Sequence, residues 1–121
     1  MKRLTFESYK RSNGHDEFIE WLRTLPKKDS AKLLRTIDKT EEQGLLVAQR
    51  LQWVKKIDVN LYELRSKLGS NIQRALYFHV QSNRYVITHG FTKKTQKTPT
   101  TEITHALALR AMFQLGGFHR S

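Results

Sequence analysis

Between Arg65 and Lys97 the chain carries seven Lys or Arg side chains and no Asp or Glu. Aromatic and imidazole rings (Tyr77, Phe78, His79, Tyr85, His89, Phe91) are set among these cations. Charge concentrated in this way describes a surface that meets a polyanion rather than one that only keeps a protein in solution. Gripping a phosphate backbone needs no more than the cations. Breaking one needs, in addition, a base for the attacking hydroxyl, an acid for the leaving oxygen, and fixed positive charge for the phosphorane between them. The stretch is rich in cations and poor in obvious acid–base pairs. Binding therefore follows from composition alone, and cleavage does not.

The remaining composition narrows the class. A chain of 121 residues with 38% hydrophobic and 27% charged content is expected to form one soluble domain, spanning 1–121. It has no Cys, so no disulfide framework or thiolate metal site is available, and a cytoplasmic setting is expected. His15, His105 and His119 show no ligand spacing, so no metal and no cofactor is called for. No apolar run reaches membrane-spanning length, and Met1 to Glu7 lacks the hydrophobic run of a secretory leader. The formal charge of +11 ranks nucleic acid above an anionic membrane surface as a partner, since no basic amphipathic helix stands out.

Elements able to position these residues can be read from pattern. Residues 3–9 alternate as a strand, with Leu4, Phe6 and Ser8 on one face. Asn13-Gly14 marks a turn and Asp16 can cap a helix whose stripe is Phe18, Trp21, Leu22 and Leu25. Pro26 stops it. Asp29 or Ser30 opens a second helix, with Leu33, Leu34 and Ile37 inward and Gly44 just past its end. Residues 45–57 show no clean period. Strand-like runs then cover 59–65, 72–80 and 85–91, separated by turn-rich segments, as in an antiparallel meander. Thr98-Pro99 reads as an N-cap followed by Pro at the first helical position, and the last helix turns Ile103, Ala106 and Leu107 inward before ending near Gly116-Gly117. The expected fold is α+β in the order β-α-α-β-β-β-α, with a helical hairpin packed on one side of an antiparallel sheet and a C-terminal helix.

Three strings carry a resemblance: Leu61-Tyr62-Glu63-Leu64-Arg65, Arg74-Ala75-Leu76-Tyr77-Phe78, and His89 through Pro99, continued by Glu102-Ile103 and Ala106. Together they resemble the phage-derived, HigB-like branch of the RelE/ParE toxin superfamily, over roughly residues 3–113. The resemblance implies a compact RelE-like domain and the toxin half of a type II toxin–antitoxin pair. It further implies a metal-independent, ribosome-dependent endoribonuclease (mRNA interferase) that cuts mRNA in the A site. The implied partners are a helix-turn-helix, HigA-like antitoxin and the translating ribosome, with the free toxin monomeric. Two other functions share the same sequence features: a ParE-like inhibitor of DNA gyrase that cuts nothing, and a non-catalytic nucleic-acid-binding module.

By the same resemblance, Arg74 stands where the superfamily holds the scissile phosphate. Strand parity puts it with Ile72, Leu76, Phe78 and Val80, where that face should open to solvent, and a pairing with Glu63 is the structural alternative. Arg65 is either an active-site cation or an anchor of the 66–71 turn. Glu63 stands where the better-known RelE pattern has Lys, so the base is left unassigned. Lys93, Lys94 and Lys97 precede a helix N-terminus, whose field suits a phosphate and lowers a Lys pKa; a solvated basic loop is the alternative. Gln96 is a candidate for base or ribose contacts. His89 and His79 are acid–base candidates or hydrogen-bonded core residues. Tyr77 and Tyr62 either stack on bases or pack in the core. Trp21 and Phe91 read as core.

Overall fold

The structure, a computed structural model, describes residues 1–94 and 97–118. Its elements are β1 (Thr5–Ser8), α1 (Glu17–Leu22), α2 (Lys27–Gln43), α3 (Leu45–Arg50), β2 (Val54–Asp58), β3 (Leu61–Leu68), β4 (Asn71–Gln81), β5 (Arg84–Lys93) and α4 (Thr100–Phe118). The five strands form one sheet in the order β1-β5-β4-β3-β2. This is the small α+β architecture expected of a RelE-like domain, with four differences of detail.

First, the sheet is mixed rather than antiparallel, because β1 runs parallel to β5 with Thr5 opposite Arg84. Second, the strand expected at 59–65 is β3, shifted to Leu61–Leu68, and residues 59–60 form the turn that joins it to an additional edge strand, β2. Asn60 takes a positive φ of 45° there and fixes the turn to β4: its side chain donates to the His79 carbonyl at 3.0 Å and accepts the His79 amide at 2.9 Å. Third, the segment without a clean period holds α3, set off from α2 by Gly44 at φ 90°. Fourth, helices cover both faces. Phe18, Leu33 and Ala48 of α1–α3 pack on Leu64, Ala75, Tyr77 and Ile87, whereas Ala106 of α4 packs on Leu61, Leu76 and Phe91. Ala75 and Tyr77 alternate with Leu76 along β4, so the two cores lie on opposite sides of the sheet.

Local chemistry explains the helix ends. Asp16 caps α1, its Oδ1 accepting the Ile19 amide at 3.0 Å. That helix ends at Leu22 rather than running to Leu25. Pro26 fills the N-cap of α2 with no side-chain cap, and Asp29 is not the opening residue: it lies buried in the first turn, taking a hydrogen bond from Asn71 Nδ2 at 2.9 Å. Leu33, Thr36, Ile37 and Thr40 face inward, but Leu34 turns outward and is 43% exposed. The final helix continues through Gly116 and Gly117 to Phe118.

Two close approaches fix the sheet's borders. The Trp21 ring lies directly over Gly90, where a Cβ would come within 2.3 Å of its Cε3 and Cζ3 atoms. On the outer side of β1, the Phe6 amide donates to Glu41 Oε2 at 2.8 Å, so a buried carboxylate occupies the free edge of that strand.

Candidate functional site

A register irregularity between β4 and β5 decides which side chains meet. Leu76 pairs with His89, but the next residue, Tyr77, pairs with Ile87, so one extra residue in β5 flips its parity. Beyond the bulge, His89, Phe91 and Lys93 share the α4 face with Arg74 of β4 and with Glu63 and Arg65 of β3. Arg65 is directly opposite Arg74 and Arg74 opposite Phe91, with Lys93 one row on, opposite Ile72. Three strands thus bring three of the expected cations together.

Glu63 lies at the centre of this cluster and is 1% exposed. Its Oε1 is 3.5 Å from both Arg65 Nε and Arg74 Nε. Its Oε2 accepts a 2.8 Å hydrogen bond from Thr98 Oγ1, across the segment leading into α4. The two arginines are in ion-pair range of the carboxylate, yet neither Nε has a hydrogen-bond acceptor among the described residues. Arg74 Nη1 donates to the Gln73 carbonyl at 3.1 Å. Two arginines thus share one carboxylate, with Lys93 on the same face, and two buried donors point at no acceptor among the described residues. Donors in this condition can take a further anionic oxygen, such as a phosphate supplies.

Solvent access differs from the expectation. Arg74 does not open to water; it is 7% exposed, because Glu63 draws it inward and the segment around Thr98 closes over the same face. Burial lowers the Arg74 pKa below its ordinary value, with Arg65 adding to the effect and Glu63 opposing it. Lys93 is also buried, and its pKa is lowered, first by burial and then by Arg74, Arg65 and Lys55, against the pull of Glu63. Arg65 does not end its strand but sits inside β3, three residues before Leu68, so it is not an anchor of the turn. Lys94 and Lys97 are exposed beside the cluster. The Thr98 hydroxyl is spent on Glu63 rather than on the helix, which begins at Thr100 with the Pro99 carbonyl accepting from Glu102 and Ile103. Gln96 lies outside the described residues.

Two candidates leave the site. Tyr77 is 0% exposed on the opposite face, edge-on to Phe6 at 4.9 Å and stacked on Tyr62 at 5.4 Å. It is a core residue with no route to a base, and its burial pushes the phenol pKa far upward. His89 is on the correct face but is buried under α4: Nε2 meets Glu102 Oε1 at 3.0 Å, Nδ1 meets Thr88 Oγ1 at 3.1 Å, and the His105 ring lies 4.7 Å away. It ties β5 to the helix. Burial is the first cause holding its pKa below the ordinary histidine value, opposed by Glu102. Below about pH 6.5 the unfolded chain therefore takes up a proton that the folded chain resists, and stability falls with falling pH. We expect His89→Gln, which cannot titrate, to lose less stability than the unmodified chain between pH 7.5 and 5. The difference is bounded by about 1.4 kcal/mol per pH unit. Urea unfolding at the two pH values measures it, and an equal loss in both proteins would remove His89 from the account.

In the sequence, Glu63 stands out as an alternative partner for Arg74 and as a departure from the RelE pattern, without a role of its own at the site. Its central place was signalled by its spacing of two from Arg65, which puts both side chains on one face of a strand. Thr98 gave no such signal. Arg84, another strand cation of the acid-free stretch, is used structurally, its Nη2 and Nε reaching Glu7 at 2.6 and 3.0 Å. A cleft at that end of the sheet is lined by Tyr9, Arg11, Arg84 and Phe113 and holds none of the clustered cations. Among the described residues no group of His, Cys, Asp or Glu could hold a metal ion, and no helix is long and apolar enough to cross a membrane.

No curated protein matches the chain. A family model described as phage derived protein Gp49-like (DUF891) matches residues 20–111, a span that contains Glu63, Arg65, Arg74, Lys93 and Thr98.

Proposed function

Because the chain belongs to the phage-derived Gp49-like family, a family associated with RelE-like toxin–antitoxin proteins, we propose that it is the toxin of a type II toxin–antitoxin pair. In this reading it is HigB-like and cuts mRNA in the ribosomal A site, and its neutralising partner is a helix-turn-helix protein encoded beside it. The observation that carries the reading is the cluster of half-buried Arg65 with buried Arg74 and Lys93 beside Glu63, in which both arginine Nε donors are unsatisfied among the described residues.

In the proposed reaction the RNA's own 2′-hydroxyl attacks the adjacent phosphorus and the 5′-oxygen leaves. The arginine pair takes the non-bridging oxygens, whose charge grows as the phosphorane forms. An entering phosphate competes with Glu63 for the Arg65 and Arg74 donors, which frees the carboxylate to accept the 2′-hydroxyl proton. Lys93, whose hold on its proton is weakened by burial and by its cationic neighbours, returns a proton to the 5′-oxygen. Lys94 and Lys97 add backbone attraction at the rim.

Primer extension on cellular mRNA after induction of the chain tests the function. Cuts at fixed positions within codons, lost when translation initiation is blocked, are the expected outcome. Intact transcripts with an SOS response would instead indicate a gyrase inhibitor, and intact transcripts without one a binding module.

A further inference from the structure

The outward face of α2 carries features that the cationic cluster does not use. Lys28, Lys32 and Arg35 recur at i, i+4 and i+7, which makes one stripe about 10 Å long on the helix surface. All three are exposed, and among the described residues none of them forms an ion pair. Beside the stripe runs a shallow groove between α2 and the end of β3, floored by Ala31, Leu34 and Leu68. Leu34 and Leu68 are 43% and 36% exposed there, and the one carboxylate on the groove is Asp38 at its far end. Leu64 and Leu68 share a parity on β3, so the groove opens on the α1–α3 side of the sheet, away from the face that carries Arg74.

We infer that this groove seats an acidic amphipathic helix of a protein partner, its leucine-type side chains on Leu34 and Leu68 and its carboxylates on Lys28, Lys32 and Arg35. Charge complementarity selects the occupant. A second copy of this chain would bring another +11 of charge to a cationic rim. A nucleic-acid backbone would use the cations but leave both leucines in water, whereas an amphipathic helix covers leucines and cations together. The inference rests on the toxin–antitoxin reading, and it specifies where and by what chemistry the neutralising partner holds on. A helix seated here leaves the Arg74 cluster uncovered, so neutralisation works by obstructing the approach of this domain to its target rather than by filling the site.

The test uses the full chain carrying Arg74→Ala, which permits expression without a toxic effect, together with the protein encoded by the adjoining reading frame. Affinity is measured by titration calorimetry for this chain and for the same chain with Leu34→Asp and Arg35→Glu added. Both added positions are exposed, and an unchanged melting temperature confirms that the fold is kept. The expected result is at least a tenfold loss of affinity, restored in part when a Glu of the partner's docking helix is changed to Lys. Undiminished affinity of the doubly changed chain overturns the inference and leaves the toxin reading standing. So does undiminished affinity accompanied by a loss of co-sedimentation with ribosomes, which would assign the groove to RNA. If the chain binds neither neighbouring product and cuts no transcript, the toxin reading itself fails, and this inference fails with it.

Discussion

Under the proposed function, Arg74→Ala is expected to abolish growth arrest and to slow mRNA cleavage by roughly 100- to 1000-fold, the usual cost of losing one preorganised donor to a developing oxyanion. The loss belongs to the chemical step. Arg65 and Lys93 remain to neutralise Glu63, so the sheet keeps its fold, which circular dichroism and a melting curve would verify. Arg74→Lys keeps the charge but not the fork. It should recover only a small part of the rate, because a single ammonium cannot hold two phosphoryl oxygens in fixed directions. Full toxicity of the folded alanine variant, expressed without a partner, would remove Arg74 from the mechanism.

Gly90→Ala carries the largest expected effect on stability. Its new Cβ would stand 2.3 Å from two ring carbons of Trp21, far inside van der Waals contact. Neither side can yield easily, because Gly90 is held opposite Ala75 in the β4–β5 ladder and Trp21 packs against the α1–α3 core. We expect a loss of about 3 kcal/mol, at the upper end for overpacking a core. Trp21→Leu removes the obstacle at the cost of a cavity, so the double variant should lose less than the sum of the two single changes. Chemical denaturation of the four proteins gives the cycle, and strict additivity would show that the contact does not carry the effect.

The parts of this fold that were legible in the sequence are those governed by local pattern. The stripe of Phe18, Trp21 and Leu22 gave α1, and alternation with turn-rich breaks gave the core of the meander. What failed was short, distant or irregular. The six residues of α3 span fewer than two helical turns, too few to establish a period, and they lead directly into a short edge strand. The pairing of β1 with β5 joins segments far apart in sequence and leaves no local trace. Simple alternation along 85–91 would put His89 on one face with Tyr85 and Ile87, and the extra residue in β5 breaks that count. At the site, the spacing of two puts Glu63 and Arg65 on one face, and Arg74 and Lys93 share that face with them. The burial of Arg74 was not readable, because it depends on Thr98 reaching across from a connecting segment to Glu63.

The parallel strand at the sheet's border also fixes the order in which the molecule can be completed. Strands β2 to β5 pair with their neighbours in sequence, so they can zip together through short loop closures and assemble Arg65, Arg74 and Lys93 as they do. Residues 5–8 precede the other four strands but have no strand to pair with until residues 84–87 are made. Of the five strands, the first synthesised is therefore the last to join the sheet, with only α2 to hold it meanwhile through Glu41.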